Sequence, residues 1–181
     1  LYSASKLTNE LIAYVFSAVY KINIIGLRFF TVYGPWGRPD MSYFKFVDSI
    51  LKYKHIDFYN YGKHQRDFTY IDDIVDGIYK SYNSIPKIFK KNIKNEIPHR
   101  VFNLGNTKSI SLKEMITEIE KLLGKKAKIK FLPKQKGDMI KTKSDITNAK
   151  RILLYKPKVN FKVGIKKFIN WYRDYYNINN V

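Results

Sequence analysis

The chain has 181 residues, 45% of them hydrophobic, and it contains no cysteine. This composition suffices for one globular domain or for the end of a larger one, and it excludes disulfides, zinc–thiolate sites and thiol nucleophiles. The formal net charge of +19 permits an anionic partner such as a nucleic acid, a membrane surface or a phosphorylated small molecule, and a nucleic-acid-binding module is an alternative suggested by this charge alone. The lysines are scattered through every segment and no run of eighteen apolar residues occurs, so neither a nucleic acid nor a membrane is predicted as a partner.

The first elements in chain order predict an α/β layer. Residues 5–20 carry apolar side chains at helical spacing, and residues 22–30 form a branched apolar run typical of a parallel strand that is covered on both faces. Residues 31–40 contain two glycines and two prolines directly after this strand. Because open α/β sheets bind ligands at the carboxyl ends of their strands, this segment is the predicted position of a binding loop.

The rest of the chain continues to alternate between helices and strands. Its periodicities predict helices over 42–53, 72–82, 111–124, 145–153 and 163–175, and strands over 56–61, 68–71, 101–104 and 127–131. Ser111 and Glu114 form a capping box at the start of the third of these helices. Residues 83–98 contain two prolines and little periodicity, which predicts a surface excursion.

Tyr2 and Lys6 are the first candidates for chemistry. They stand four residues apart and therefore on one face at the start of the first helix. A fixed positive charge favours the phenolate, so such a pair can take a proton from a hydroxyl group near neutral pH. Tyr59 and Lys63 have the same spacing, so spacing alone leaves both a catalytic pair and an ordinary surface pair open.

Longer motifs resemble those of a known family. Tyr2-x-x-x-Lys6 is followed by Gly26-Leu-Arg-Phe-Phe-Thr-Val-Tyr-Gly-Pro-Trp-Gly-Arg-Pro-Asp-Met41 and by Arg66-Asp-Phe-Thr-Tyr-Ile-Asp-Asp73. This order resembles the extended short-chain dehydrogenase family, in particular the bacterial UDP-glucuronate 4-epimerases. Their pattern continues through Phe102-Asn-Leu-Gly105, Gly137-Asp138 and Phe168-Ile-Asn-Trp-Tyr-Arg173, so the resemblance covers essentially the whole chain.

The resemblance implies an α/β fold in two parts. Residues 1–34 would be the C-terminal part of a Rossmann-type, NAD-binding parallel-sheet domain, with residues 66–84 packing back on it. Residues 35–181 would form a smaller mixed α/β domain that binds the nucleotide sugar. No Gly-rich turn for the pyrophosphate of NAD occurs, so the chain is expected to lack the N-terminal half of the enzyme, to be inactive alone and to expose its first helix.

The resemblance also implies a reaction. Tyr2 would transfer the proton, while Lys6 would lower the pKa of Tyr2 and hold the ribose of NAD, which takes a hydride from C4 of the sugar and leaves a 4-keto intermediate. Tyr33 and Pro35 are candidate cofactor contacts, although aromatic side chains at a strand end are often plain core.

Thr31 and Arg38 are implied to hold the carboxylate of glucuronate. A 4-keto uronic acid is a β-keto acid that loses CO2 readily, so these contacts would both select the substrate and restrain decarboxylation. The alternatives are a strand-end turn residue for Thr31 and a surface or phosphate contact for Arg38. A UDP-hexose or UDP-N-acetylhexosamine 4-epimerase, or a UDP-glucuronate decarboxylase, remains open on this scaffold, although the string Pro35-Trp-Gly-Arg-Pro-Asp40 argues against them.

Three residues are implied to bind the nucleotide. Arg66 would contact the diphosphate, for which a permanent cation with several donors is suited, and its alternative is a surface pair with Asp67. Asp138 would accept hydrogen bonds from the uridine ribose, with Gln135 as a weaker candidate.

Metals and further partners are not predicted. His55, His64 and His99 have no metal-ligand spacing and fall in predicted surface loops, so no metal site is assigned. NAD and a UDP-sugar are the expected cofactor and substrate of the complete protein. That protein is expected to be a cytoplasmic homodimer that pairs through the helix bearing Tyr2 and Lys6.

Overall fold

The computed structural model describes residues 1–89 and 96–178. Its helices are α1 (Tyr2–Tyr20), α2 (Ser42–Leu51), α3 (Ile71–Ile88), α4 (Leu112–Leu123), α5 (Thr147–Ile152) and α6 (Phe161–Tyr175). Its strands are β1 (Ile24–Phe29), β2 (Thr31–Tyr33), β3 (His55–Tyr59), β4 (Gln65–Tyr70), β5 (His99–Leu104), β6 (Ser109–Ser111) and β7 (Lys128–Leu132). The predicted mixed α/β class is confirmed.

The described strands form three small sheets. β1 pairs in parallel with β5, and β3 pairs in parallel with β7. The third sheet has the order β2-β4-β6, in which β2 is parallel to β4 and β6 is antiparallel to it. Tyr33 at the end of β2 pairs with Tyr70 at the end of β4, so the segment after β2 and the start of α3 meet at one edge.

The single strand predicted over 22–30 is wrong in extent. The chain changes sheets at Phe30, whose amide donates to Leu104 O at 3.1 Å, and residues 31–33 of the predicted loop form β2 instead. Coverage on both faces is also wrong at the end of β1, where Arg28 and Phe29 are exposed. The hydropathy of these residues indicates a strand, but it does not indicate which neighbouring strand each residue pairs with.

The surface excursion predicted over 83–98 is wrong for its first residues. α3 continues to Ile88 and includes Pro86, and the amide of Phe89 still donates to Ile85 O at 3.1 Å. A proline lacks one donor and disturbs the preceding turn, but a proline this close to the helix end removes little of the helix. Residues 90–95 of the prediction lie outside the described residues.

The buried residues form two clusters. The larger one joins α2, α4 and α6 to β3 and β4, with Val47, Met115, Ile119, Ile165 and Phe168 at its centre. The smaller one joins β5 to the first turn of α3 and to α5, through Ile74, Phe102, Leu104, Ala149 and Tyr155. The capping box at α4 is confirmed, because Ser111 Oγ accepts from the amide of Glu114 and Glu114 accepts from the amide of Ser111.

α1 leaves most of its apolar surface in solvent, as expected. Its large exposed hydrophobic side chains are Tyr2, Leu7, Leu11, Ile12, Tyr14, Val15, Phe16, Val19 and Tyr20, and Ser17 is its one buried residue. Even so, none of the helices in the described part of the chain combines the length and the hydropathy needed to cross a bilayer.

Candidate active site

A cavity of ≈ 940 Å³ lies where α1, β1 and β2 converge. Its wall includes the first residue of α1, the end of β1, all of β2 and the segment 34–38 that follows. The cavity is lined by five of the residues predicted to act in the site: Tyr2, Thr31, Tyr33, Pro35 and Arg38. Its volume lies within the range of about 300–1,000 Å³ that small-molecule sites occupy.

Tyr2, which lines this cavity, and Lys6 are brought together. Tyr2 is the first residue of α1, and Lys6 Nζ lies 5.4 Å from the centre of the Tyr2 ring. Both side chains are exposed, Tyr2 by 76%. An exposed phenol that lines a cavity and lies beside a fixed cation has the arrangement that proton transfer to or from a bound ligand requires.

An ion pair holds α1 over β1. Arg28 donates from Nε and Nη2 to the two carboxylate oxygens of Glu10, at 2.6 Å each. The hydrogen bond from Arg28 is the largest cause that lowers the pKa of Glu10 below its ordinary value. Because Arg28 also lines the cavity, this pair connects the helix that carries Tyr2 to the cavity wall.

Two glycines let the segment after β2 approach its neighbours closely. Gly34 has a φ of 141°, and a Cβ atom at this position would lie 2.7 Å from Ile71 Cγ2. A Cβ atom at Gly37 would overlap the hydroxyl of Tyr43. These close approaches to α3 and α2 place Pro35 and Arg38 at the cavity wall.

Arg38 carries a replaceable carboxylate partner. Its Nε and Nη2 donate to Asp40 at 3.0 and 2.7 Å, and the hydrogen bond from Arg38 is the first cause that lowers the pKa of Asp40. Both side chains are exposed, so the pair contributes little to stability. Arg38 can therefore exchange Asp40 for the carboxylate of a ligand at small cost.

Trp36 is a cavity residue that the sequence analysis missed. Its side chain is 74% exposed and lines the cavity, and its φ of 61° lies in the left-handed region. The Trp36 ring stands 5.4 Å from Trp171 and 5.2 Å from Tyr175, both on α6. An aromatic residue inside a Gly- and Pro-rich loop was the available signal, because such a side chain has no strand or helix face to fill.

The ring of Tyr33 lies in the core. Tyr33 is 1% exposed, and its hydroxyl donates to Phe161 O at 3.4 Å. Burial is the first cause that raises the pKa of Tyr33 above its ordinary value. The structure therefore favours the alternative of plain core for this side chain, and a cofactor contact could come only from its backbone.

The residues predicted to bind the nucleotide form a second group. Arg66 Nη2 donates to Asp138 Oδ1 at 2.8 Å, and Arg66 Nη1 donates to the carbonyls of Gln65 and Ile140 at 3.0 and 3.3 Å. Gln135 is exposed and joins this group through its backbone carbonyl, which accepts from the amide of Asp138 at 3.3 Å.

His64 completes this group, and its predicted surface position is wrong. His64 is 3% exposed, and its Nε2 lies 3.3 Å from Asp138 Oδ2. His64 lies in the loop before β4, whereas His55 and His99 begin β3 and β5, so the loop prediction is wrong for those two. Local sequence gave no sign of this burial, because His64 is covered by a segment more than seventy residues away along the chain.

The alternative surface pair between Arg66 and Asp67 is wrong. Asp67 is fully buried, and its carboxylate accepts from the backbone amides of residues 106, 107 and 144 and from two hydroxyl groups. The amide of Asp67 donates to Thr142 Oγ1 at 3.2 Å, and Thr142 also lines the cavity. The segment that carries Asp138 therefore continues directly into the cavity wall.

We expect His64 to make the folded state less stable in mild acid. Burial is the largest cause that lowers the pKa of His64, Arg66 and Lys134 lower it further, and Asp138 opposes them. A folded-state pKa below the unfolded value of about 6.5 means that the stabilising contribution of neutral His64 is complete above about pH 6.5. This contribution is lost as the pH falls through the folded-state pKa.

Urea unfolding of the wild type and of His64→Gln, from about pH 7.5 down to about pH 5, measures this linkage. The stability difference between the two proteins should shrink as the pH falls. His55→Gln is the matched control, because His55 is exposed and should show no such trend. A difference for His64→Gln that stays constant with pH would contradict the linkage.

Residues 1–105 match the model of the NAD dependent epimerase/dehydratase family. UDP-glucuronate 4-epimerase 3 of Arabidopsis thaliana is 46% identical over an alignment of 184 residues in length, which covers 98% of this chain and 43% of that protein. Protein CapI of Staphylococcus aureus is 40% identical over an alignment of 183 residues in length, which covers 97% of this chain and 55% of that protein.

A solved structure supports the same relationship. The UDP-glucuronic acid 4-epimerase from Bacillus cereus, in complex with UDP-glucuronic acid and NAD, superposes with a TM-score of 0.85 at 32% identity. The match covers 97% of this chain and 53% of that protein. The chain thus spans about half the length of the relatives it matches.

Proposed function

The chain belongs to the NAD dependent epimerase/dehydratase family, and from this premise we propose that it carries the proton-transfer and substrate-binding residues of an NAD-dependent UDP-sugar 4-epimerase that acts on UDP-glucuronate. The observation that carries the proposal is the shared cavity, in which Tyr2, with Lys6 beside it, faces the same space as Thr31 and Arg38. The relatives named UDP-glucuronate 4-epimerases support the choice of substrate.

Tyr2 acts as the acid and base at the sugar hydroxyl. Its exposed position on the cavity wall lets a ligand hydroxyl reach the phenol, and the Lys6 ammonium stabilises the phenolate that takes the proton. When the 4-keto group is reduced in the second half of the reaction, Tyr2 returns the proton to the oxygen of the epimerised carbon.

Thr31 and Arg38 hold the carboxylate of the uronic acid. The guanidinium of Arg38 forms a bidentate pair with the Asp40 carboxylate. A sugar carboxylate that replaced Asp40 would bind Arg38 with the same geometry. A carboxylate held in one orientation cannot align its C–C bond with the neighbouring keto group, so decarboxylation is restrained. The hydroxyl of Thr31, at the start of β2 on the same cavity wall, supplies a second donor to this carboxylate.

Arg66, Asp138 and Gln135 hold the nucleotide part. Arg66 presents several donors to a diphosphate, while the free carboxylate lone pairs of Asp138 accept from ribose hydroxyls. The contact between Arg66 and Asp138 orients both side chains before the ligand arrives. Gln135 is held near Asp138 by the turn at Gly137, whose φ is 79°, and by the bond from the Asp138 amide to its carbonyl.

Tyr2, Lys6 and Pro35 are the residues of this chain that would hold NAD. The fit is supported by the exposed Tyr2 and Lys6 side chains at the open end of the cavity, whereas the buried ring of Tyr33 cannot contribute. When bound, NAD supplies a reversible hydride acceptor at the carbon that carries the reacting hydroxyl.

Three features of the complete protein are proposed with this function. The first is a division near residue 34 into a cofactor-binding and a nucleotide-sugar-binding part, which are joined by the pairing of β1 with β5. The exposed apolar residues of α1 support a homodimer that pairs through this helix. A cytoplasmic location is consistent with a chain that lacks cysteine.

We further propose that the 181-residue chain does not turn over substrate by itself. β1 has β5 as its one hydrogen-bonded neighbour among residues 1–89 and 96–178, so its other edge is open, and the chain spans about half of its relatives. Chromatography of UDP-glucuronate incubated with the purified chain and NAD should show no new product. Any turnover would overturn this part of the proposal.

The test of the function uses protein translated from the full reading frame that contains this chain. Incubation with UDP-glucuronate should yield UDP-galacturonate on chromatography, and Arg38→Gln should lose far more activity than Lys54→Gln, an exposed control. UDP-xylose as the product would indicate a decarboxylase and remove the assigned role of Thr31 and Arg38. Turnover of UDP-glucose or UDP-N-acetylglucosamine in its place would select the alternative epimerases.

A further inference from the structure

A second cavity, of ≈ 980 Å³, lies on another part of the molecule. It is bounded by the turn after β5, the first turns of α4 and the segment 156–162 that leads into α6. It shares no lining residue with the cavity that holds Tyr2, Thr31 and Arg38. Its chemistry can therefore be considered separately from the proposed reaction.

The wall of this second cavity is strongly cationic. Six of its twenty lining residues are lysines, whereas lysine and arginine together account for 34 of all 181 residues. These lysines are Lys108, Lys113, Lys150, Lys156, Lys158 and Lys162. They come from three separate stretches of sequence, so the fold gathers cations that the sequence shows only as scattered.

These six lysines have few acidic neighbours. None of them forms a salt bridge with a carboxylate in the part of the chain that the structure describes. Two glutamates line the cavity, and one of them, Glu114, is occupied by the cap of α4. The wall keeps an excess of positive charge, which a bound anion would neutralise.

The floor of the cavity is apolar. Phe68, Tyr155 and Phe161 are buried core residues that also line it, and Ile110, Pro157 and Val159 are partly buried beside them. An apolar floor under a cationic rim matches a ligand that has a flat apolar body and a multiply charged anionic group. A free inorganic anion would use only the rim.

We propose that this second cavity binds a phosphorylated small molecule of nucleotide size. The rim lysines contact the phosphate oxygens, and the first turns of α4 and α6 add a favourable field for the negative charge. The lysines surround a concave space of small-molecule size. They do not form an extended stripe, which disfavours a nucleic acid backbone as the occupant.

The test is isothermal titration of the 181-residue chain with ATP, tripolyphosphate and adenosine as probes. We expect one ATP per chain, weaker binding of tripolyphosphate because it leaves the floor uncovered, and no measurable binding of adenosine. The triple variant Lys108→Gln/Lys113→Gln/Lys158→Gln should weaken ATP binding by about tenfold or more, because half of the rim charge is removed.

A matched triple variant provides the control. Lys54→Gln/Lys130→Gln/Lys166→Gln removes the same charge from exposed positions outside both cavities, and it should leave ATP affinity within about twofold. An equal loss in both variants would show that ATP responds to overall charge and would overturn the proposal. Thermal melting of each variant verifies that the fold is intact.

Competition separates this cavity from the proposed substrate site. Excess UDP-glucuronate should not displace ATP, and Arg66→Gln should not alter ATP affinity, whether or not UDP-glucuronate binds as proposed. If UDP-glucuronate displaced ATP and Arg66→Gln also lost ATP binding, ATP would occupy the proposed substrate site, and the inference would be refuted. A stoichiometry of several ATP molecules per chain would refute it as well.

Discussion

Tyr2→Phe, in protein translated from the full reading frame, is expected to reduce kcat for the epimerisation of UDP-glucuronate by about 10²–10⁴-fold, the usual contribution of a positioned acid or base. Phenylalanine keeps the ring at the first position of α1 but has no hydroxyl to accept or return the proton. KM should change much less than kcat, because the proposed nucleotide contacts lie elsewhere, at Arg66 and Asp138.

The structure gives a physical reason for the size of this effect. No other tyrosine hydroxyl in the described part of the chain lines the cavity in an exposed position, since Tyr33 and Tyr43 are both buried there. Burial raises the pKa of Tyr43 to about 12, so it is a poor substitute at neutral pH. The proton therefore has no alternative phenol to use.

Tyr59→Phe is the matched control for this prediction. Tyr59 precedes Lys63 by four residues, as Tyr2 precedes Lys6, but it lies at the end of β3 and lines neither of the two cavities. Activity should be unchanged in this variant. If Tyr2→Phe retained wild-type kcat, or if both variants lost activity equally, the assignment of proton transfer to Tyr2 would fail.

The fold class could be predicted from the sequence because apolar residues recur with a different spacing in helices and in strands. The regular spacing in α1, α4 and α6 and the branched run at β1 indicated their type, and the ends were wrong by only a few residues. The short strands β2 and β6 were missed. Three residues are too few for a period, and their pairing depends on β4, which lies far away along the chain.

The candidate site residues were predicted from the order of sequence motifs and not from periodicity. Tyr2, Thr31 and Arg38 were proposed from the order of motifs, and they do line one cavity. His64 and the partner of Arg66 could not be found, because both depend on how the segment around Asp138 returns to β4. Sequence separation hides such contacts, since no local pattern records which distant backbone will cover a side chain.

Asp67→Ala is expected to destabilise the folded state by about 3–5 kcal/mol, the range for removing one partner from a buried charged network. Asp67 is fully buried, and its two oxygens accept five hydrogen bonds, from the amides of Asn106, Thr107 and Ser144 and from the hydroxyls of Thr69 and Ser144. Alanine would remove this acceptor from the buried amide of Ser144, at a cost of about 1–3 kcal/mol, and from the partly buried amides of Asn106 and Thr107, the second of which keeps its bond to Ser144 Oγ.

Two further variants separate the charge from the shape. Asp67→Asn keeps the volume but replaces one acceptor with a donor, so its loss should lie between those of the wild type and Asp67→Ala. Asp57→Ala is the exposed control on β3, and its effect should stay within about 0.5 kcal/mol. Urea unfolding at neutral pH measures all three, with the midpoint shift converted through a common slope.

The consequence of Asp67→Ala should extend beyond stability. Its oxygens bind the turn at residues 106–107 and the segment at Ser144, and that segment runs back through Thr142 to Asp138 beside Arg66. Loosening it should weaken UDP-glucuronate binding even where the variant remains folded, whereas Asp57→Ala should leave that affinity unchanged. Full stability together with unaltered affinity in Asp67→Ala would mean that water replaces the carboxylate, and that the buried network does not position the nucleotide-binding residues.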